Sequence, residues 1–266
     1  MVYYFYKTQA EWTTMLEYES SNGGSNFSNE MKGLKTFLDQ HPKISGLILS
    51  ELQYDYTSIE YPKFTENFKK YLEAMRGCFP DLVIALSLYG SSLIDQYIFP
   101  ALKWLNIKKI DSYLDFYTVD LVAFNRCTDE FKNIGTAPMS ASDTNYTLDN
   151  IKEALKLGGF PKEKTYFKFR ISPSSADESL NAWILNVEQM CLYPNQTSNW
   201  CADTQSSFNE KGQFACTNGV GFMVHYIDFN DPHNCCRCEK PYPSFNAILD
   251  GWKGVDTKPC NSLTRL

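Results

Sequence analysis

Short apolar runs alternate along the chain with stretches in which apolar residues recur at helical spacing. A short apolar run bounded by polar or turn residues is typical of a buried strand. We predict such strands at residues 43–52, 82–88, 113–124, 165–171 and 219–227. Helical spacing predicts helices at residues 31–41, 65–75, 147–159, 182–191 and 242–252. Residues 93–105 are predicted to be helical in part, with Pro100 as an interruption. Apolar strands separated by amphipathic helices favour parallel βα units whose sheet is covered on both faces.

Length and composition are those of a folded α/β protein. The chain has 266 residues, of which 43% are hydrophobic, so it can bury a sizeable core and is not mainly disordered. With no internal repeat or long linker, we predict one domain over residues 1–266. The net charge is −6 with no basic block, which argues against nucleic acid as a partner. No apolar run approaches the length of a transmembrane helix, so no membrane span is predicted.

The cysteines are concentrated near the C-terminus: nine are present, and seven of them follow Leu185. A zinc site needs ordered CxxC-type pairs, and only the spacing from Cys235 to Cys238 fits, without a second half. Irregular spacing in a polar segment favours disulfides. The disulfide candidates are Cys191, Cys201, Cys216, Cys235, Cys236, Cys238 and Cys260. We predict a disulfide-stapled loop over residues 192–218, at least one cysteine outside the intramolecular pairs, no metal site and no cofactor.

Three glycosylation sequons agree with an oxidising compartment. They begin at Asn26, Asn145 and Asn195, and Asn-X-Ser/Thr is the acceptor motif of secreted proteins. The N-terminus lacks a cationic segment followed by an apolar stretch, so no signal peptide is visible in this chain. We predict an extracellular, secreted protein whose signal was removed before this numbering begins, or a truncated chain.

Four stretches carry a resemblance to a known family. Residues 113–121 (YLDFYTVDL), 142–164 (SDTNYTLDNIKEALKLGGFPKEK) and 219–231 (GVGFMVHYIDFND) follow in order, and residues 21–24 (SNGG) fit an SxGG turn. Together they resemble the glycoside hydrolase family 18 chitinases and their inactive chitinase-like relatives. In that family the sixth strand usually reads YLDFINVMTYD and the eighth GGVMFWSIDMDD. Each stretch alone is short, so the resemblance depends on their occurring in the same order as in the family.

The resemblance implies a (β/α)8 barrel with its site at the C-terminal ends of the strands. The chain matches the family's strands three to eight, and residues 2–7 are either a remnant of the first strand or a segment that precedes the third. We therefore expect an α/β, TIM-barrel-like fold that is N-terminally incomplete. A cysteine-rich loop is expected between its last two strands.

The resemblance also implies that the catalytic strand has lost its acids. In the family the fourth strand ends in DGxDxDWE, whose Glu is the general acid and whose preceding Asp orients the substrate's N-acetyl group. The three Asp positions and the Glu position fall, in order, at Ser45, Ile48, Ser50 and Leu52. The adjacent Glu51 would point to the opposite side of a regular strand. No proton donor is therefore expected at the acid position.

Three further strand ends depart from the family pattern. The tyrosine and aspartate that hold the reacting sugar at the sixth strand fall at Val122 and Ala123, and the seventh-strand tyrosine falls at Ser172. The eighth-strand tryptophan, which forms the floor under the sugar, falls at His225. The resemblance therefore implies a protein without chitinase activity.

Aromatic and polar residues near the strand ends are candidates for carbohydrate binding, because sugars need flat aromatic faces and convergent hydrogen-bond groups. They are Tyr54, Tyr89, Tyr117, Asp120, His225 and Asp228. The alternative is that these tyrosines only fill the core. We predict a chitinase-like protein that binds chitin or another N-acetylglucosamine-containing glycan. It would act as a lectin or as an extracellular signalling or immune-modulating factor with a protein receptor.

Two enzymatic alternatives stay open. A working glycosidase would use displaced acids such as Glu51 or Asp55, and Glu51 would need a one-residue bulge to turn inward. A Ser-His-Asp set of Ser87, His225 and Asp228 lacks a GxSxG elbow, so a chance arrangement explains it better.

Overall fold

The computed structural model describes residues 1–4, 11–12, 15–16, 27–50, 52, 64–98, 104–177, 179 and 185–263. Its strands are β1 (Val2–Tyr4), β2 (Gly46–Leu49), β3 (Val83–Tyr89), β4 (Phe116–Asp120), β5 (Thr165–Arg170), β6 (Ser174–Ser175), β7 (Trp200–Cys201) and β8 (Gly221–His225). The helices with described bounds are α1 (Ser28–Gln40), α2 (Phe64–Cys78), α3 (Gly90–Ile98), α4 (Leu148–Gly158), α5 (Val187–Leu192), α6 (Gln205–Asn218) and α7 (Pro243–Trp252).

Strands and helices alternate as the apolar pattern predicts. β2, β4, β5 and β8 each lie within a predicted strand, and β3 extends one residue beyond its predicted end. The strand order of the larger sheet is β1-β2-β3-β4-β5-β8. The pairs β1–β2, β2–β3 and β5–β8 are parallel. β6 and β7 form a separate antiparallel pair. The prediction of parallel βα units is confirmed.

The chain divides into two compact units. The first comprises residues 1–118 and 153–164, and the second comprises residues 119–152 and 165–266. The prediction of a single domain over residues 1–266 stays a prediction.

In the first unit, β2 lies between β1 and β3. Its start depends on Gly46, because an added Cβ there would lie 2.7 Å from the backbone oxygen of Val83. Aromatic side chains fill the adjoining core: the Trp12 ring meets Tyr71 edge-on with centroids 5.4 Å apart, and Phe68 lies 6.1 Å from Trp12. All three side chains are almost fully buried. These aromatic residues therefore belong to the core and not to a sugar-stacking surface.

In the second unit, β5 alternates strictly between its two faces. Phe167 and Phe169 are buried, and the Phe167 ring packs against Phe214 of α6 with centroids 4.9 Å apart. Since side chains of a strand alternate, Lys168 and Arg170 lie together on the opposite face. β8 runs beside this strand.

Helices α6 and α7 pack so closely that their backbones nearly touch. A Cβ on Gly212 would overlap the carbonyl oxygen of Ile248, and a Cβ on Gly251 would overlap the carbonyl oxygen of Asn209. Glycine at both positions permits this approach.

The cysteine-rich segment is folded, and the prediction of a loop over residues 192–218 is wrong. It contains β7 and all of α6. Pattern reasoning missed α6 because this helix buries many polar residues, so its sequence lacks a clear apolar stripe. Its buried polar residues are Gln205, Ser207, Asn209 and Lys211.

Three disulfides stabilise the second unit. They join Cys127 to Cys201, Cys191 to Cys236, and Cys238 to Cys260. Disulfide formation is therefore confirmed for five of the seven candidates.

The other two candidates are corrected, because Cys216 and Cys235 are exposed free thiols. Cys127, which was not among the disulfide candidates, forms a disulfide with Cys201. Backbone contacts bring its segment to β7: the Ala202 amide donates to the Lys132 carbonyl at 3.2 Å. Cys78 is also free and exposed, so the predicted unpaired cysteine is confirmed.

A buried ion pair holds the start of α6. Lys211 pairs with Asp203, and their side chains are only 2% and 6% exposed. The Ser207 hydroxyl also donates to Asp203, at 2.6 Å. Among the described residues, no helix is long and apolar enough to cross a membrane.

Candidate functional site

The positions that the resemblance predicts for the family's acids lie around β2. Ser45 is exposed just before the strand, whereas Ile48 and Ser50 are buried. Leu52 is 1% exposed. A leucine side chain carries no ionisable proton and Leu52 is closed to solvent, so this position can neither donate a proton nor relay one from water. Glu51 lies outside the described residues.

The two described tyrosine candidates, Tyr89 and Tyr117, differ in how far their side chains are exposed. Tyr89 ends β3 and is half-buried, so it stays a candidate. Tyr117 is fully buried, its ring lies edge-on to Phe160 with centroids 5.2 Å apart, and its hydroxyl donates to Asp111 at 2.9 Å. Burial, together with the Asp111 carboxylate, raises the pKa of Tyr117 far above its usual value. Tyr117 is therefore a core residue and offers no face to a sugar, which corrects its place among the binding candidates.

Asp120 ends β4 and is held by two donors. Its Oδ2 accepts from Lys168 Nζ at 2.8 Å, and its Oδ1 accepts from the Val122 amide at 2.9 Å. The Asp120 and Lys168 side chains are each 14% exposed. The carboxylate is thus fixed in position, and it keeps lone pairs that could accept from a sugar hydroxyl.

His225 ends β8 beside Arg170 of β5. Its ring stacks on Tyr226 with centroids 3.8 Å apart. Burial lowers the pKa of His225, and the positive charges of Lys168 and Arg170 lower it further against the opposing effect of Asp120. The imidazole is therefore neutral at neutral pH. Its Nδ1 is buried and has no hydrogen-bond partner among the described residues.

Arg170 is held by neutral groups. Its Nε donates to the Ser172 carbonyl at 3.2 Å and to the Ser172 hydroxyl at 3.0 Å, and one terminal nitrogen donates to the Pro173 carbonyl at 2.7 Å. The guanidinium carbon also lies 5.5 Å from the centre of the Tyr226 ring. Burial lowers the pKa of Arg170 from its usual value, but a guanidinium stays charged at neutral pH.

Asp228 and two of the glycosylation candidates lie at the surface, and three further predicted residues lie outside the described ranges. Asp228 is exposed on a short turn that follows β8. Asn145 and Asn195 are exposed, as glycosylation requires. The predictions for Tyr54, Asp55 and Asn26 fall on residues outside the described ones.

Lys168, Arg170 and Tyr226 were missed by sequence reasoning. The signal was present in residues 165–170 (TYFKFR), where two cations alternate with phenylalanines in an otherwise apolar strand. Alternation predicts that both cations share a face. It does not show that this face also carries Asp120 and His225, because those residues come from other strands.

One group of side chains could be taken for a metal site. Ligand atoms of Glu188, Asp231 and Cys235 lie within 4.8 Å of one another. However, the Asp231 oxygens accept the amides of Cys235 and Cys236 at 2.7 and 3.0 Å. Although Cys235 is exposed, partial desolvation by its neighbours and the Glu188 carboxylate raise the pKa of its thiol, which disfavours the thiolate that binds metal. The arrangement is therefore that of a capped turn.

No protein-family model matches the chain, and no curated protein matches it by sequence. Solved structures do match. The Group IV chitinase of Ostrinia furnacalis in complex with allosamidin is 15% identical, with a TM-score of 0.66 over 93% of this chain and 84% of that chain. Catalytic domain 2 of the O. furnacalis Group II chitinase was solved as a glutamate-to-leucine mutant with the chito-oligosaccharide (NAG)5. It is 14% identical, with a TM-score of 0.63 over 96% of this chain and 84% of that chain.

A third match is human YKL-39, described as a pseudo-chitinase with retained chitooligosaccharide binding. It is 17% identical, with a TM-score of 0.60 over 91% of this chain and 84% of that chain. Identities this low show the fold alone. The chain therefore has the TIM-barrel-like fold of the glycoside hydrolase family 18 chitinases and chitinase-like proteins, as the sequence predicted.

Proposed function

We propose that this protein binds chito-oligosaccharides or other N-acetylglucosamine-containing glycans without hydrolysing them. The observation that carries the proposal is Leu52, a buried aliphatic side chain at the position aligned with the family's general acid. Loss of one general acid costs about 10²–10⁴ in rate. Here the orienting carboxylate is replaced as well, by Ser50. The two losses together should leave no useful turnover.

Two structural neighbours support retained binding. YKL-39 is described as a pseudo-chitinase that keeps chitooligosaccharide binding, and the O. furnacalis Group II domain was solved with an oligosaccharide as a glutamate-to-leucine mutant. In this chain, Tyr89, Asp120 and His225 remain at strand ends as aromatic and hydrogen-bonding groups.

We also propose that the protein is extracellular and acts through binding, with a glycan or a protein receptor as its partner. The three disulfides favour an oxidising compartment. The exposed Asn145 and Asn195 agree with glycosylation. One structural neighbour is described as an immunomodulatory active chitinase from Trichuris suis, which is consistent with a signalling role.

The test measures turnover and binding on the same protein sample. A fluorogenic chito-oligosaccharide reports hydrolysis, with an active family 18 chitinase as the positive control. Titration calorimetry with chitohexaose reports binding. We expect binding and no hydrolysis above the uncatalysed rate. A sample that shows neither hydrolysis nor binding of chitohexaose would refute the binding proposal.

Two variants test the alternative of displaced acids. Glu51→Gln and Asp55→Asn remove the two carboxylates that a working glycosidase would use. We expect neither variant to change the rate, because there is no activity to lose. Hydrolysis by the wild type that disappears in Glu51→Gln would show that the strand register is wrong and that the protein is an enzyme.

A further inference from the structure

Arg170 keeps its charge although no carboxylate of the described residues pairs with it. The hydrogen bonds of its guanidinium go to the carbonyls of Ser172 and Pro173 and to the Ser172 hydroxyl, which are all neutral acceptors. In the described part of the chain no Asp or Glu forms an ion pair with it. A partly buried cation is usually paired because desolvation is costly. The charge of Arg170 is thus available to a ligand.

The guanidinium is also fixed before any ligand arrives. Three hydrogen bonds to Ser172 and Pro173 and the neighbouring ring of Tyr226 restrict its rotation. A side chain that is already ordered loses little entropy on binding. The planar fork of an arginine matches a carboxylate or a sulfate in geometry as well as in charge.

A second polar group stands beside it. His225 is the register partner of Arg170 on the adjacent strand, and its buried Nδ1 has no partner among the described residues. Asp120, the carboxylate whose charge acts on His225, is itself paired with Lys168. The chain as a whole carries a net charge of −6, so this cationic position is a local feature.

We propose that Arg170 and His225 form a subsite for an anionic group of a glycan, a carboxylate or a sulfate. The anion would pair with the guanidinium, and its negative charge would act on the neighbouring imidazole of His225. This inference rests on the proposed glycan-binding function and narrows its ligand class from neutral to acidic sugars.

The test compares three hexasaccharides by titration calorimetry. Chitohexaose is neutral, 6-O-sulfated chitohexaose adds only sulfates, and a hyaluronan hexasaccharide carries only carboxylates. We expect at least one acidic ligand to bind about tenfold or more tightly than chitohexaose, the usual scale for a charge-assisted hydrogen bond. The acidic ligand that gains affinity identifies the anionic group.

Matched variants assign the gain to Arg170. Arg170→Gln should weaken the preferred acidic ligand about tenfold or more while changing chitohexaose binding less than twofold, and Arg170→Lys should lose less. The exposed Arg237 provides the control, because Arg237→Gln makes the same charge change at another surface position. Circular dichroism and thermal unfolding check that each variant is folded.

An independent readout needs no variant. A bound anion favours the imidazolium form, so the pKa of His225, followed by NMR, should rise with the acidic ligand and stay unchanged with chitohexaose. Equal affinities for all three ligands, or equal effects of Arg170→Gln and Arg237→Gln, would overturn the inference and leave neutral glycan binding intact. Binding of acidic ligands alone would support the subsite and refute the chitin proposal. Failure of all three ligands to bind would refute both.

Discussion

The buried pair of Lys211 and Asp203 gives a sharp stability prediction. In Lys211→Met the substituted side chain keeps its length and apolar stem but loses the charge. The Asp203 carboxylate is then left in the interior with the Ser207 hydroxyl as its remaining side-chain donor. Breaking a buried pair from one side costs about 3–5 kcal/mol. That is a large part of the roughly 5–15 kcal/mol by which folded proteins are stable.

The assay is urea denaturation followed by circular dichroism, with a matched surface pair as the control. Lys258 and Glu239 form an ion pair of 3.1 Å whose side chains are 76% and 53% exposed. Lys258→Met should therefore lower the free energy of unfolding by less than about 1 kcal/mol. The double variant Asp203→Asn with Lys211→Met removes both charges, so it should lose less than the sum of the two single variants.

The pH dependence has a definite sign. Burial raises the pKa of Asp203, and Lys211 opposes that rise. Without Lys211 the folded-state pKa of Asp203 lies still higher than its unfolded value. A group with a raised folded pKa stabilises the fold at low pH and loses that contribution as the pH rises. The loss in free energy of unfolding that Lys211→Met causes should therefore become smaller as the pH falls from 7 toward 3.8, the usual pKa of the carboxyl group. A deficit below about 1 kcal/mol, or one that grows on acidification, would refute the reasoning.

Two further predictions concern packing and cross-linking, both measured by urea denaturation. Gly212→Ala should lower the free energy of unfolding by about 1–3 kcal/mol, because the new methyl group meets the Ile248 carbonyl. Gly33→Ala in α1 is the control: its methyl group faces open space, so it should raise the free energy of unfolding by about 0.5–1 kcal/mol. Changes of the same sign in both variants would contradict the close approach of α6 and α7. Cys127→Ser opens the disulfide to Cys201, whose partners are 74 residues apart, and should lower the free energy of unfolding by about 4 kcal/mol. Peptide mapping that pairs Cys201 with another cysteine in the wild type would refute this assignment.

The strands β2, β3, β4, β5 and β8 were predictable from the sequence because their signal is local, whereas the short strands β6 and β7 were missed. A short apolar run such as residues 82–88, bounded by polar and turn residues, is typical of a strand that is buried on both faces. The same reasoning failed for α6, whose polar side chains are buried by partners elsewhere in the chain. Lys211 is an example, since its burial depends on Asp203.

For the candidate site as well, some features were predictable from the sequence and others were not. The sequence by itself determined the parallel α/β architecture and the disulfide-rich region, because each depends on residue type and local spacing. The assignment of Leu52 to the acid position stays a prediction from the family resemblance. Only the tertiary structure decided that Tyr117 lies in the core, that Cys127 pairs with Cys201, and that Arg170 lies beside His225 with no carboxylate partner among the described residues. These facts depend on which distant segments of the chain meet. Burial, disulfide pairing and ion pairing are properties of contacts between separate strands and helices, and the local sequence does not encode those contacts.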